Sequence, residues 1–218
     1  MRVLITCGPA SVSLDGVRRL TNHSTGELGT AMAQALVAAG YSVVCLRGVG
    51  AVYPPPLEPV EVVPFFGNED LAEMLRERRG QPEVVLHAAA LADFFPEKIF
   101  ADGRELPVGE AGKIPSSTKD FRVHFRPATK VVTRLREWFS EAFLVGWKYE
   151  VEGKREDAIE KGFRLVKENG LDACVVNGPA CGQEMIWVEA GGMKTSFPHR
   201  GAFVAGLSCG LLGKKQAS

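Results

Sequence analysis

Residues able to do chemistry gather in a few short stretches of this chain. The first is Asp15-Gly16-Val17-Arg18-Arg19-Leu20-Thr21-Asn22-His23-Ser24-Thr25-Gly26, a basic, amide- and hydroxyl-bearing run just ahead of an apparent helix. Free N–H groups at a helix start attract phosphate or carboxylate and an arginine adds a bidentate contact, so the run reads as an anion site. Its hydroxyls at Ser24 and Thr25 also suit a simple helix cap. The second stretch is Ala88-Ala89-Ala90-Leu91-Ala92-Asp93, where small residues let a flat ligand approach the backbone and a carboxylate closes the run. The same residues would equally pack a helix onto a sheet. The third is Lys113-Ile114-Pro115-Ser116-Ser117, a cation with two hydroxyls suited to a polyphosphate and, through a metal ion, its neighbours. A solvated loop lysine is the plainer alternative. Trp147 suits a base-stacking role or a core one, and Arg164 and Lys167, three apart on a helix, share a face that suits phosphate or solvent. Asn177-Gly178-Pro179 follows a further apparent strand.

Absences narrow the chemistry. No Ser–His or Cys–His pairing suggests a side-chain nucleophile. The four histidines have no ligand spacing, and the five cysteines are widely spaced without a CxxC pair, so neither a protein-built metal site nor a disulfide framework is expected. Lys plus Arg (26) balance Asp plus Glu (26), which leaves no global field to hold nucleic acid or an anionic membrane. Anion binding must be local.

These stretches need a scaffold, and the pattern supplies one. Strands are expected at Arg2 to Thr6, Tyr41 to Leu46, Val60 to Val63, Glu83 to His87, Phe143 to Trp147 and Asp172 to Val176. Helices are expected from about Ser24–Gly26 to Leu36, Asn68 to Arg79, Thr129 to Phe139 and Arg155 to Asn169. Phe121 to Phe125 alternates like an edge strand, whereas residues 95 to 119 show no clear period and read as a long irregular segment. A hairpin (Met185 to Val188, Lys194 to Phe197) and a helix from about Gly201 to Leu212 close the chain, with residues 179–218 suited to a lid or dimer arm. Alternating strands and helices predict one α/β domain over 1–218, a Rossmann-like doubly wound, mostly parallel sheet with a small C-terminal β-hairpin and helix extension. In such sheets ligands collect beyond the carboxyl ends of the strands, where the first two stretches fall. The strand at the very start and the lack of a long apolar run make the cytoplasm the expected compartment, with no membrane partner.

Taken together the stretches resemble phosphopantothenoylcysteine synthetase, the phosphopantothenate–cysteine ligase family found in the C-terminal domain of DNA/pantothenate metabolism flavoproteins, here in a stand-alone form. Leu14 through Gly26 is similar to the family's DPVR…SNxSSG run, Ala88 through Asp93 to its AAAVAD run, and Lys113 through Ser117 to its KI motif, nearer KIQSS than KIKK. The resemblance implies a Mg2+-dependent enzyme of coenzyme A biosynthesis. It would join 4'-phosphopantothenate to CTP or ATP, release pyrophosphate, and let the amine of L-cysteine displace the nucleoside monophosphate. It implies catalytic roles for Asn22 and Lys113, with Arg18, Asn22, Ser24, Thr25 and Gly26 holding substrate. It assigns the nucleotide to His87, Ala88, Ala89, Asp93, Lys113, Pro127, Ala128, Thr129, Lys130, Trp147, Arg164 and Lys167. A homodimer is implied, with no flavin, and a separate flavin-dependent decarboxylase acting next. Three departures stand out: Cys7-Gly8-Pro9-Ala10 in place of a GGT-type turn, Asn177-Gly178 in place of Asn-Asp, and a second KI register at Lys98-Ile99. Two rivals remain at this level. A non-catalytic nucleotide-binding or scaffold relative is motivated by Pro9 and Gly178. A nicotinamide oxidoreductase lacks its G-x-G-x-x-G, an acidic end to the second strand and a Tyr-x-x-x-Lys pair.

Overall fold

The computed structural model describes residues 1–109 and 112–212. Strand β1 (Arg2–Cys7) buries every residue after Arg2. A strand covered on both faces has no polar side to show, which is why it reads as a continuous apolar run. It pairs in parallel with β4 (Ser42–Gly48) on one side and β6 (Val84–His87) on the other. Beyond β4 lies β5 (Glu61–Phe65), and beyond β6 lie β10 (Phe143–Tyr149) and then β11 (Ala173–Asn177), all parallel. The parallel strands thus run β5-β4-β1-β6-β10-β11, which in chain order is the 3-2-1-4-5-6 of a Rossmann sheet. The order reverses between β1 and β6. Strands β12 (Met185–Glu189) and β13 (Lys194–Phe197) extend the β11 edge antiparallel, so the C-terminal hairpin is part of the main sheet.

Two hydrophobic layers clamp this sheet. On one face α1 (Glu27–Ala38) and α5 (Arg200–Gly206) bring Met32, Leu36 and Phe203 onto Val3, Ile5, Cys45 and Leu86. On the other, α2 (Asn68–Glu77), the one-turn α3 (Leu135–Trp138) and α4 (Arg155–Asn169) bring Leu71, Leu75, Leu135 and Val166 onto Leu4, Leu46, Val85 and Leu144. In α4 the buried positions Ala158, Ile159, Gly162 and Val166 follow the helical period, and Glu156 and Asp157 in its first turn suit the positive end of the helix dipole.

Four expectations change. Residues 95–119 are not irregular throughout, because β7 (Phe94–Ala101) and β8 (Arg104–Leu106) form a hairpin that pairs with β9 (Phe121–Pro127) in a separate three-stranded sheet. Its period was hidden by Pro96 and by the register shift between Pro96 and Lys98. Its turn was nevertheless written in the chain: Asp102 and Gly103 both have positive φ (47° and 80°), as a type I′ hairpin turn requires. The expected helix at Thr129 to Phe139 is a 3-10 turn, Val131–Arg134, followed by α3. The final helix is α5 followed by a wider π turn at Leu207–Leu211. Finally, the first anion-handling stretch is not a plain approach to α1, since β3 (Arg19–Thr21) lies within it and pairs with β2 (Ser11–Ser13), just ahead of it, as a small ribbon.

Candidate functional site

The carboxyl ends of β1 and β6 meet at the point where strand order reverses, and the two loops leaving them are stitched together. Ala88 N–H donates to Thr6 O, Ala90 N–H to Gly8 O and Ala10 N–H to Ala90 O, each at 3.0 Å. Pro9 is the residue bridged to Ala90 in this parallel pairing, and the bonds come from its neighbours Gly8 and Ala10. Its lack of an N–H therefore removes no bond, and the departure at Cys7 to Ala10 is accommodated by the ladder.

Asn22 closes the same junction from above. Its Nδ2 donates to Ala90 O (3.1 Å) and Leu91 O (2.9 Å) while Thr21 Oγ1 donates to Ala10 O (2.8 Å). The first stretch and the alanine stretch, nearly seventy residues apart, are thereby one surface. Asn68, at the start of α2, holds the far end of the alanine loop. Its Nδ2 donates to Ala92 O (2.9 Å) and its Oδ1 accepts from Ala92 N–H (3.0 Å). Asn68 is 3% exposed and was missed in the sequence, where it read only as a helix start.

His87 supports the loop from below. It is buried, its Nδ1 lies 2.8 Å from Thr6 Oγ1, and that hydroxyl oxygen also accepts Ala89 N–H at 3.2 Å. Burial disfavours the imidazolium and pulls the His87 pKa down to about 4, so the ring is neutral near pH 7. Asp93 is exposed at the end of the alanine loop, and its carbonyl accepts Ala128 N–H (2.8 Å), which brings the Pro127-Ala128-Thr129-Lys130 turn beside it. Thr129 and Lys130 are exposed.

The Lys113 loop joins the first stretch through Asp15 and Arg18. Asp15 Oδ2 accepts Ile114 N–H (3.1 Å) and pairs with Arg18 Nη2 (2.9 Å), which also donates to Ile114 O. Lys113 itself is exposed beside the buried Ile114. Lys98, the competing register, instead sits in β7 with Glu105 of β8 at 4.0 Å. At the α1 end, Thr25 Oγ1 accepts Glu27 N–H (3.3 Å) in a local turn, the residue capping α1 is Gly26 with no side-chain cap, and Ser24 is half-buried. Buried Gly26 starts α1 over Arg47, a 7%-exposed guanidinium that donates to Thr30 Oγ1 (3.4 Å), Ala51 O (3.4 Å) and Tyr53 O. Its signal was its place at the end of β4.

The remaining residues divide. Trp147 is half-buried near the end of β10 and meets Phe203 of α5 edge-on at 5.9 Å, so it serves the core, although its buried Nε1 has no protein partner. Arg164 faces outward, 3.5 Å from Glu160, and Lys167 is exposed in the last turn of α4, toward the amino ends of the strands. The fold does not bring these two to the junction. A different pair stands at the carboxyl edge: Lys148 (Nζ 3.0 Å away) and Lys161 both bind Glu150, whose carboxylate is 11% exposed. The hydrogen bond from Lys161 outweighs the burial that opposes ionisation, and Lys148 adds to it, so the Glu150 pKa lies below its ordinary value. At Gly178 φ is +114°, and a Cβ there would stand 2.4 Å from Glu150 O. The absent aspartate is therefore a consequence of how closely β10 and β11 end. Among the described residues no group of three or more His, Cys, Asp or Glu stands together to hold a metal ion, and no helix is long and apolar enough to cross a membrane. A cavity of about 370 Å³ lies at the opposite edge, among Arg2, Ser42, Glu61, Glu77 and Arg78, and shares no residue with this junction.

Residues 1–189 match the family of the DNA/pantothenate metabolism flavoprotein C-terminal domain. The chain belongs to that family. Among curated proteins it is 29% identical over 175 residues to the coenzyme A biosynthesis bifunctional protein CoaBC of Bacillus subtilis, covering 80% of this chain and 39% of that protein. To its counterpart in Thermococcus kodakarensis it is 28% identical over 181 residues, covering 81% and 41%. The chain thus spans about two fifths of these relatives. In fold it is similar to the crystal structure of the DNA/pantothenate metabolism flavoprotein from Streptococcus pneumoniae, with TM-score 0.83, 23% identity and coverage of 100% and 99% of the two chains. It is also similar to a Cab2 mutant in complex with phosphopantothenate-cysteine, with TM-score 0.68, 20% identity and coverage of 90% and 80%.

Proposed function

We propose that this chain is a phosphopantothenate–cysteine ligase. The observation that carries the reading is convergence. The Asn22 stretch and the alanine loop ending in Asp93 are joined by hydrogen bonds at the switch point of a Rossmann sheet, and the Lys113 loop is bonded to the same first stretch through Asp15. Membership of the family and the coenzyme A role named for the CoaBC relatives support it.

In the proposed reaction the carboxylate oxygen of 4'-phosphopantothenate attacks the α-phosphorus of CTP or ATP, and the bond to pyrophosphate breaks. The amine of L-cysteine then attacks the acyl carbon, loses a proton, and expels the nucleoside monophosphate. Both steps shift negative charge onto leaving phosphates, so catalysis calls for fixed donors and cations rather than a side-chain nucleophile. Asn22 offers an amide at the loop junction for the acyl group. The alanine loop and Asp93 offer backbone and carboxylate for the nucleotide, and Lys113 offers positive charge for its phosphates. With no acidic cluster among the described residues, Mg2+ would enter on the nucleotide rather than in a protein cage. The family's homodimer, in which one subunit completes the other's site, is proposed for this chain as well.

The test is turnover of purified protein with 4'-phosphopantothenate, Mg2+, L-cysteine and either CTP or ATP, following pyrophosphate and the cysteine adduct. Absence of product with both nucleotides rejects the reading and favours a non-catalytic nucleotide-binding relative. For Asn22→Asp the acyl nucleotide should remain detectable, or substrate binding should weaken, while cysteine ligation falls sharply. Unchanged overall turnover would remove Asn22 from the chemistry.

A further inference from the structure

The Asp15 carboxylate is fully enclosed and divides its two oxygens between two tasks. Oδ1 accepts Val17 N–H (3.0 Å) and Arg18 N–H (2.7 Å), which shapes the turn between β2 and β3. Oδ2 accepts Ile114 N–H (3.1 Å), ninety-nine residues away, and pairs with Arg18 Nη2 (2.9 Å). Arg18 in turn donates to Ile114 O and lies over the Phe121 ring at 5.9 Å. Both backbone polar groups of Ile114 are thus taken by one Asp–Arg pair, and its side chain is buried at 3% exposure. Burial opposes ionisation of Asp15, but the N–H groups of Val17, Ile114 and Arg18 together with the Arg18 charge more than offset it, so its pKa lies below the usual carboxylate value.

We infer that Asp15 is a positioning residue that anchors the Lys113 loop to the first loop. The anchor stands on geometry alone; its consequence for the chemistry rests on the function proposed above. An Arg–carboxylate pair that grips both the N–H and the C=O of one residue fixes a loop in position and orientation, whereas an exposed lysine next to it has no such restraint of its own.

Asp15→Asn separates the two tasks. The amide oxygen can still accept from Val17 and Arg18, while the NH2 group faces the Ile114 N–H and the guanidinium with no acceptor. Hydrogen exchange read by mass spectrometry over residues 112–120 should accelerate about tenfold or more, the scale of one charge-assisted hydrogen bond, with peptides of β1 and α1 unchanged. Arg18→Gln, which removes the bond to Ile114 O, should loosen the same peptides independently. In turnover, Asp15→Asn should slow pyrophosphate release, and the double variant with Lys113→Gln should be no slower than Lys113→Gln alone. Unchanged exchange over 112–120 in both single variants overturns the anchor, and additive rate losses overturn the claim that Asp15 acts through Lys113. If the wild-type protein makes no product, the proposed function falls, and the exchange contrast still decides the anchor.

Discussion

Acidification should cost this fold stability through a single buried ring, His87. His87 has an ordinary pKa of 6.5 that burial lowers to about 4 in the folded protein. Between those values the unfolded chain binds a proton that the folded chain refuses, so stability falls as pH drops through this window and levels off below it, where both states are protonated. The gap between 6.5 and about 4, at about 1.4 kcal/mol per pH unit, sets the loss near 3 kcal/mol. The steepest part of the curve lies near pH 5, above the ordinary range of the carboxylates and so separable from them. The perturbation is His87→Gln, which keeps a polar side chain beside Thr6 but does not titrate. Urea unfolding of both proteins across the window should show wild type losing about 3 kcal/mol relative to the variant as pH falls from about 6.5 to about 4. A difference that stays flat, or wild type gaining on the variant, would refute the desolvated-histidine reasoning. Because the folded chain keeps the ring neutral down to about pH 4, the network that fixes Ala89 N–H should stay intact across this window and fail only below it.

Other expectations concern the ends of β10 and β11. Restoring the expected acid with Gly178→Asp should destabilise the protein by about 1–3 kcal/mol rather than raise activity, because no L side chain suits that φ and the Cβ would strike Glu150 O; chemical unfolding measures it, and a neutral effect would contradict the backbone geometry. Glu150→Gln should free the Lys148 and Lys161 ammonium groups it now orients and weaken nucleotide binding about tenfold by calorimetry, with little change in thermal midpoint. Unaltered affinity would make the cluster a purely structural one.

Much of the candidate site was visible because its residue types are unusual for their places. A run of three alanines closing a buried strand, or Asn22 amid hydroxyls before a helix, needs no contact map to stand out. The partners that hold those residues were not visible. Asn68 reads as a helix start and Asp15 only opens the first stretch, and each acquires its role from a segment far along the chain. Spacing puts Arg164 and Lys167 on one helix face, and the resemblance gives them the nucleotide, yet neither says which turn of α4 reaches the carboxyl edge, where Lys161 meets Glu150.

The sequence by itself determined the local things. Apolar runs buried on both faces specified parallel strands, periodic apolar positions specified α4, and the Asp102-Gly103 pair specified a hairpin turn even where β7 lost its alternation to a bulge. These depend on neighbours within a few residues, so the chain writes them directly. Only the tertiary structure decided that β1 and β6 lie side by side, that Asn22 bridges their loops, that the Lys113 loop rather than Lys98 hangs from Asp15, and that position 178 admits only glycine. Each depends on the path of two distant backbones, and register and crossing distance are properties of the packed sheet rather than of any one segment.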